Sequence, residues 1–206
     1  MIDAGTSNFG FESVRKIFLF MMVSVDGYFE GPNHDISWHN VDSEFVDFAI
    51  LQLDEADTLI FGRRTYELMA GFWPSDQAIK ADADTARRMN AYKKLVFSTS
   101  LKSVDWNNSE LHKDHVSSVL KQLKNGAGKD IAVFGSSNLC LTLLSRGLLD
   151  EIRIMVNPVV LGAGTQLFDG IDSPLHLSLA KSKTFKSGNV LLTYVPGSNS
   201  QIGRGN

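Results

Sequence analysis

Three short segments carry residue types and spacings suited to holding anions: Gly62-Arg63-Arg64-Thr65, Ser98-Thr99-Ser100 and Gly135-Ser136-Ser137-Asn138. Each follows an apolar run of strand character, at 58–61, 94–97 and 131–134. Where a glycine leads, the missing Cβ lets the chain turn sharply off the strand and lets a ligand approach the backbone. A helix starting there points free N–H groups and the positive end of its dipole outward. Arg63 and Arg64 add guanidinium forks matched to phosphate oxygens, and Thr65, Ser136 and Ser137 add hydroxyls. Ser98, Thr99 and Ser100 put three more hydroxyls at the mouth of the strand lying between the other two in sequence. The chemistry is recognition of a phosphate-rich ligand. Plainer uses stand beside it: a turn with solvated arginines, and ordinary capping of a helix by serine. Neither G-x-G-x-x-G nor G-x-x-x-x-G-K-[S/T] occurs, which excludes the standard dinucleotide fingerprint and the P-loop.

The elements that must position these segments alternate along 15–195. Strands are expected at 17–25, 58–61, 94–97, 131–134 and 151–160, and helices at 41–56, 64–69, 78–91, 114–124 and 138–145. In the first helix Phe45, Phe48, Ala49 and Gln52 recur at helical spacing, with Gln52 interrupting the apolar stripe. Residues 175–186 and 190–195 flank Ser187-Gly188-Asn189 as a hairpin. Strands joined by helical crossovers imply an α/β fold: a mostly parallel central sheet, helices on both faces, and an antiparallel C-terminal hairpin. Ligands of such sheets bind beyond the carboxyl ends of the strands, where all three segments lie.

Composition bounds the rest. With 206 residues, 43% of them hydrophobic, the chain reads as one domain with its own core, between mobile tails at 1–14 and 196–206. A net charge of -3 gives no general positive field for nucleic acid. The lone Cys140 cannot form an internal disulfide, which suits a reducing cytoplasm. Arg15-Lys16 and the seven apolar residues after them lack the cleavage site of a secretory leader, and no run is long enough to span a membrane. A cytoplasmic protein is therefore expected. His34 and His39 with Asp35, and His112 with His115, lack the further ligands of a metal site and read as exposed histidines, so no metal is expected. Lys181, Lys183 and Lys186 read as a solvated strand face.

In collinear order, Val25-Asp26-Gly27-Tyr28-Phe29-Glu30-Gly31, Trp38, the run from Asp57 through Gly62-Arg63-Arg64-Thr65-Tyr66-Glu67, and residues 94–100 and 131–137 resemble dihydrofolate reductase. Residues 147–153, then Asn157-Pro158-Val159-Val160-Leu161-Gly162-Ala163-Gly164 and Leu167-Phe168, are more particular. They resemble the reductase domain of the bifunctional riboflavin-biosynthesis deaminase-reductase and its stand-alone bacterial relatives. The resemblance implies a dihydrofolate-reductase-like fold and an NADPH-dependent reductase of a small heterocyclic or carbonyl substrate. By the family pattern Gly62, Arg63, Arg64 and Thr65 hold the cofactor's phosphates, with Arg63 near the adenosine 2′-phosphate, and Ser98, Thr99 and Ser100 lie beside that same group. Gly135, Ser136 and Ser137 match the pyrophosphate turn, with Ser136 where dihydrofolate reductases carry a second glycine. Met22, Phe29 and Gly31 match positions near the nicotinamide. The family also places a carboxylate in the first long helix. Matching from Trp38 puts Ser43 there, and matching from Phe48 puts Glu44 there. Glu44 is the catalytic candidate, its plainer role being an acidic first helical turn, and Trp38 and Phe48 are candidate substrate contacts. A homodimer is implied as well. Two rival functions stay open: 5-amino-6-(5-phosphoribosylamino)uracil reduction in riboflavin biosynthesis, and a non-catalytic NADPH-binding sensor or interaction module.

Overall fold

The computed structural model describes residues 14–171 and 173–197. The expected tails lie outside these residues except at Val14, Pro196 and Gly197. Eight strands form one sheet: β1 (Ile17–Val23), β3 (Ala56–Gly62), β4 (Lys93–Phe97), β5 (Ser109–His112), β6 (Asp130–Val133), β7 (Glu151–Val156), β9 (Leu177–Thr184) and β10 (Val190–Pro196). Their order is β5-β4-β3-β6-β1-β7-β10-β9, while β2 (Tyr28–Glu30) pairs separately with β8 (Thr165–Gln166). β5 through β7 run parallel, and β10 is antiparallel to both β7 and β9.

β1 is uniformly apolar because both of its faces are covered. Ile17, Leu19, Met21 and Val23 pack with residues of α5 (Val116–Lys124) and α6 (Ser137–Ser145). On the other face Phe20 and Met22 lie under Phe45 and Phe48 of α1 (Ser43–Asp54). Phe18, Leu59, Phe61 and Val96 share that face with Tyr66 of α2 (Arg63–Phe72) and Met89 of α4 (Ala83–Ala91). Each such buried side chain contributes about 1.5–3 kcal/mol. The polar break in the α1 stripe has a partner: buried Gln52 accepts from Arg153 at 3.4 Å, and that guanidinium lies over the Phe18 ring.

Several expected elements differ. The 78–91 helix is two, α3 (Asp76–Ala81) and α4, because the Asp82 backbone leaves helical geometry and its carboxylate caps α4 through Thr85 N at 3.0 Å. β5 and the β2–β8 pair were not foreseen. Ser109-Glu110-Leu111-His112 has no β-rich pattern and is a strand only because it pairs with β4. β4 carries a fully buried Lys94, whose Nζ donates to the carbonyls of Asn90, Tyr92 and Asn107, while burial pushes its ammonium down to about 8. Pro196, expected in the tail, pairs with Leu177.

Candidate functional site

Because β4, β3 and β6 are neighbours in the sheet, the three anion-suited segments leave it side by side. Beyond the carboxyl ends of β5, β4, β3 and β6 they line a cleft of about 350 Å³. Gly62, Arg63, Arg64, Ser98, Thr99, Ser136 and Asn138 face it directly. Gly62 donates to the Gly135 carbonyl at 2.7 Å, and a Cβ on Gly62 would stand 2.6 Å from Ser136 Oγ. Gly135 has φ +112°, and a Cβ there would come within 2.9 Å of Thr65 Oγ1. Glycine at both positions thus answers to close approach between two turns.

The helix starts separate into two groups. Asp42, Ser75 and Asp82 cap α1, α3 and α4 with side-chain hydrogen bonds. α2, α5 and α6 have no side-chain cap, and these three begin on the cleft, at Gly62-Arg63, Val116 and Ser136. Their first-turn N–H groups and positive dipole ends therefore face a common space. Serine capping of α6, the plainer reading of Gly135-Ser136-Ser137, is not what Ser136 does. Ser98 does serve its own loop, accepting from Ser100 N at 3.2 Å and Leu101 N at 3.1 Å, which leaves Thr99 toward the cleft. Arg63 is exposed and paired with Glu67 at 3.2 Å.

Sequence reasoning missed His112, which ends β5, and Lys113, which follows it; both line the cleft, as do Val116, Leu139 and Thr142. His112 was read as exposed; its side chain is only 17% exposed because β5 docks it against Phe97. His39 is likewise half-buried: loss of solvent pushes its imidazole down to about 4, against a contact with the Phe29 backbone that raises it. A basic pair just before a helix was the available signal for Lys113, but without a recognised strand it pointed nowhere.

The remaining site candidates lie farther along the sheet edge. Met22 is next to the last residue of β1, a strand three spacings or about 14 Å from β4. Phe29 and Gly31 are held by the 161–166 segment. There Thr165 donates to buried Glu30 at 2.7 Å, His34 lies 2.9 Å from the same carboxylate, and a Cβ on Gly164 would strike the Glu30 carbonyl. Asp26 anchors that segment, accepting from Leu161 N and Gly162 N; the Ser24 hydroxyl and these amides hold its carboxyl down at about 2. Phe48 packs among Phe20, Phe45 and Phe185 with ring centroids 5.7–6.3 Å apart. Trp38 stands edge-on to His39 and donates to the Asp35 carbonyl at 3.0 Å. Glu44 is not brought to the cleft. Its Oε2 accepts from Lys186 N at 2.9 Å and its Oε1 is 3.5 Å from Lys183 Nζ, so both oxygens face the C-terminal hairpin. Lys183, expected only to be solvated, therefore has a partner. Among the described residues no group of three or more His, Cys, Asp or Glu is arranged to hold a metal, and no helix is long and apolar enough to cross a membrane.

Comparison with known proteins places this geometry among relatives. The family model of the RibD C-terminal domain matches residues 15–191. The uncharacterized protein YyaP of Bacillus subtilis strain 168 is 32% identical over 182 residues, covering 87% of this chain and 94% of its own. A putative riboflavin biosynthesis protein from Shewanella sp. PV-4 shares the fold with a TM-score of 0.68 at 22% identity, over 89% of this chain and 99% of that one. Dihydrofolate reductase from Enterococcus faecalis, complexed with NADP(H) and RAB-propyl, shares it with a TM-score of 0.59 at 14% identity, over 89% and 97%.

Proposed function

The chain belongs to the RibD C-terminal domain family, and from that premise we propose that it is an NADPH-dependent reductase delivering hydride to a small heterocyclic or carbonyl substrate. The observation that carries this reading is the convergence of three uncapped helix starts on one cleft that also holds Arg63, Arg64 and Lys113. That is more anion-binding capacity than a single phosphate uses. A dinucleotide brings a pyrophosphate and, in its phosphorylated form, a third phosphate group. The NADP(H) carried by the Enterococcus protein of the same fold supports the choice of cofactor.

NADPH, when bound, supplies the hydride. In this chain Gly62, Gly135, Ser136 and Ser137 would hold the pyrophosphate, Arg63 and Thr99 the 2′-phosphate, and Met22, Phe29 and Gly31 the nicotinamide end. The packed rings of Phe20, Phe45, Phe48 and Phe134 exclude water on the α1 side of β1. Glu44 is the proposed carboxylate on the substrate side; with Oε2 engaged by Lys186 N, it serves a substrate by releasing Lys183 from Oε1.

Titration with NADPH, followed by cofactor fluorescence, is expected to saturate. Arg63→Ala is expected to erase most of the preference for NADPH over NADH, and Glu44→Gln to lower turnover. Absence of saturable binding, or an unchanged preference in Arg63→Ala, overturns the cofactor assignment.

A further inference from the structure

We propose that Lys113 is a specificity-determining residue: with Arg63 it flanks the Ser98-Thr99-Ser100 turn and favours an adenosine carrying a 2′-phosphate over one without. This rests on the cofactor reading above. The sheet register carries it. Gly62 of β3, Phe97 of β4 and His112 of β5 are matched across the two parallel pairings, so Arg63, Ser98 and Lys113 leave the sheet at one level. Neighbouring strands stand about 4.8 Å apart, which puts the outer two chains about 10 Å apart with the turn between them. Ser98 N donates to the His112 carbonyl at 3.0 Å and fastens that turn to the chain just before Lys113. Arg63, Ser98, Thr99 and Lys113 all line the cleft. An anion seated over Thr99 therefore has a cation available from each side. α5 begins three residues after Lys113 and adds first-turn N–H groups without a side-chain cap.

Each carboxylate near the turn already has a partner. Glu67 pairs with Arg63 at 3.2 Å, Glu110 with Lys93 at 3.1 Å, and Asp114 lies 3.4 Å from His115. Among the described residues, Arg64 and Lys113 are the lysine and arginine side chains of the cleft with no carboxylate within 4 Å. Lys113 is exposed, so its ammonium can meet an incoming phosphate without breaking a pair, whereas Arg63 must share its guanidinium with Glu67. A ribose without the phosphate offers Lys113 no charge to neutralise. One unit charge about 6 Å from a phosphate dianion in solvent dielectric changes affinity about sevenfold at 10 mM salt and about fourfold at 0.1 M.

The test compares adenosine 2′,5′-bisphosphate with 5′-AMP on the full chain by calorimetry at pH 8.0, where the 2′-phosphate is a dianion. In Lys113→Gln the affinity ratio of the two nucleotides is expected to fall about sevenfold at 10 mM salt and about fourfold at 0.1 M, with 5′-AMP affinity unchanged. Lys113→Glu is expected to double that fall on a logarithmic scale, and Lys113→Arg to keep the native ratio. Lys80→Gln removes the same charge from exposed α3, outside the cleft, and is expected to keep the ratio as well. If Lys113→Gln keeps the native ratio, or if Lys113→Arg or Lys80→Gln lowers it as much, Lys113 has no such role and the cofactor reading stands. If neither nucleotide binds the native chain, the cofactor reading falls and this proposal falls with it.

Discussion

Alanine at Gly62, the residue just before α2, and at Gly71 inside it should have opposite effects, because one end of the helix meets another turn and the other end meets solvent. At Gly62 the backbone is extended, with φ -79° and ψ 169°, so alanine is conformationally allowed there. The obstacle is Ser136: the new Cβ would sit 2.6 Å from its Oγ and 2.9 Å from its backbone nitrogen. The hydroxyl can rotate away, but the nitrogen belongs to the turn and cannot. Overpacking of this kind costs about 1–3 kcal/mol. The reduced entropy of the unfolded chain returns about 0.4–1 kcal/mol, so Gly62→Ala is expected to lose about 1–2 kcal/mol. For a chain of this length that corresponds to a fall in Tm of about 2–8 °C. At Gly71, near the end of the same helix, nothing lies within 4 Å of a new Cβ, and alanine is expected to stabilise by about 0.5–1 kcal/mol. Urea unfolding of both variants gives the two signs, and NADPH titration gives the functional consequence, a loss confined to Gly62→Ala. Adding Ser136→Gly should recover only part of the stability, since the close nitrogen remains. If Gly62→Ala is as stable as the native chain and binds NADPH equally well, the two turns are not in contact as described.

Three further outcomes follow from single groups. His39 stays neutral in the fold because burial pushes it down to about 4, whereas the unfolded chain takes up a proton near its ordinary 6.5. Stability is therefore complete above that value and is lost as pH falls toward 4. Between pH 7.5 and 5 the native chain should lose about 2 kcal/mol more than His39→Gln by urea unfolding, and equal losses would remove His39 as the cause. Arg15 is 5% exposed at the opposite ends of the strands, donating to Asp57, Thr58 and the Lys129 carbonyl. Arg15→Met should cost about 1–3 kcal/mol while leaving NADPH affinity unchanged, which separates the sheet's amino-end latch from its carboxyl-end site. Cys140 is 1% exposed and burial pushes its thiol up to about 12. Iodoacetamide should modify it only in urea, and rapid labelling of the folded chain would contradict the packing of α6.

What the sequence settled by itself was local. Glycine and hydroxyl chemistry after an apolar run marked the ends of β3, β4 and β6, because a turn off a strand leaves its signature in the residues that make it. Period and polarity marked α5 and α6 and both faces of β1 for the same reason. The tertiary structure decided which of these marks belong together. Strand order made neighbours of segments more than 70 residues apart, and only then could three uncapped helix starts be seen to share one space. It made a strand of Ser109–His112, since parallel pairing to β4 supplies what the side chains do not, and so brought His112 and Lys113 to the cleft. It also turned Glu44 toward Lys186 and Lys183, across 142 residues of sequence, because the carboxylate finds its donors in the hairpin that packs beside α1.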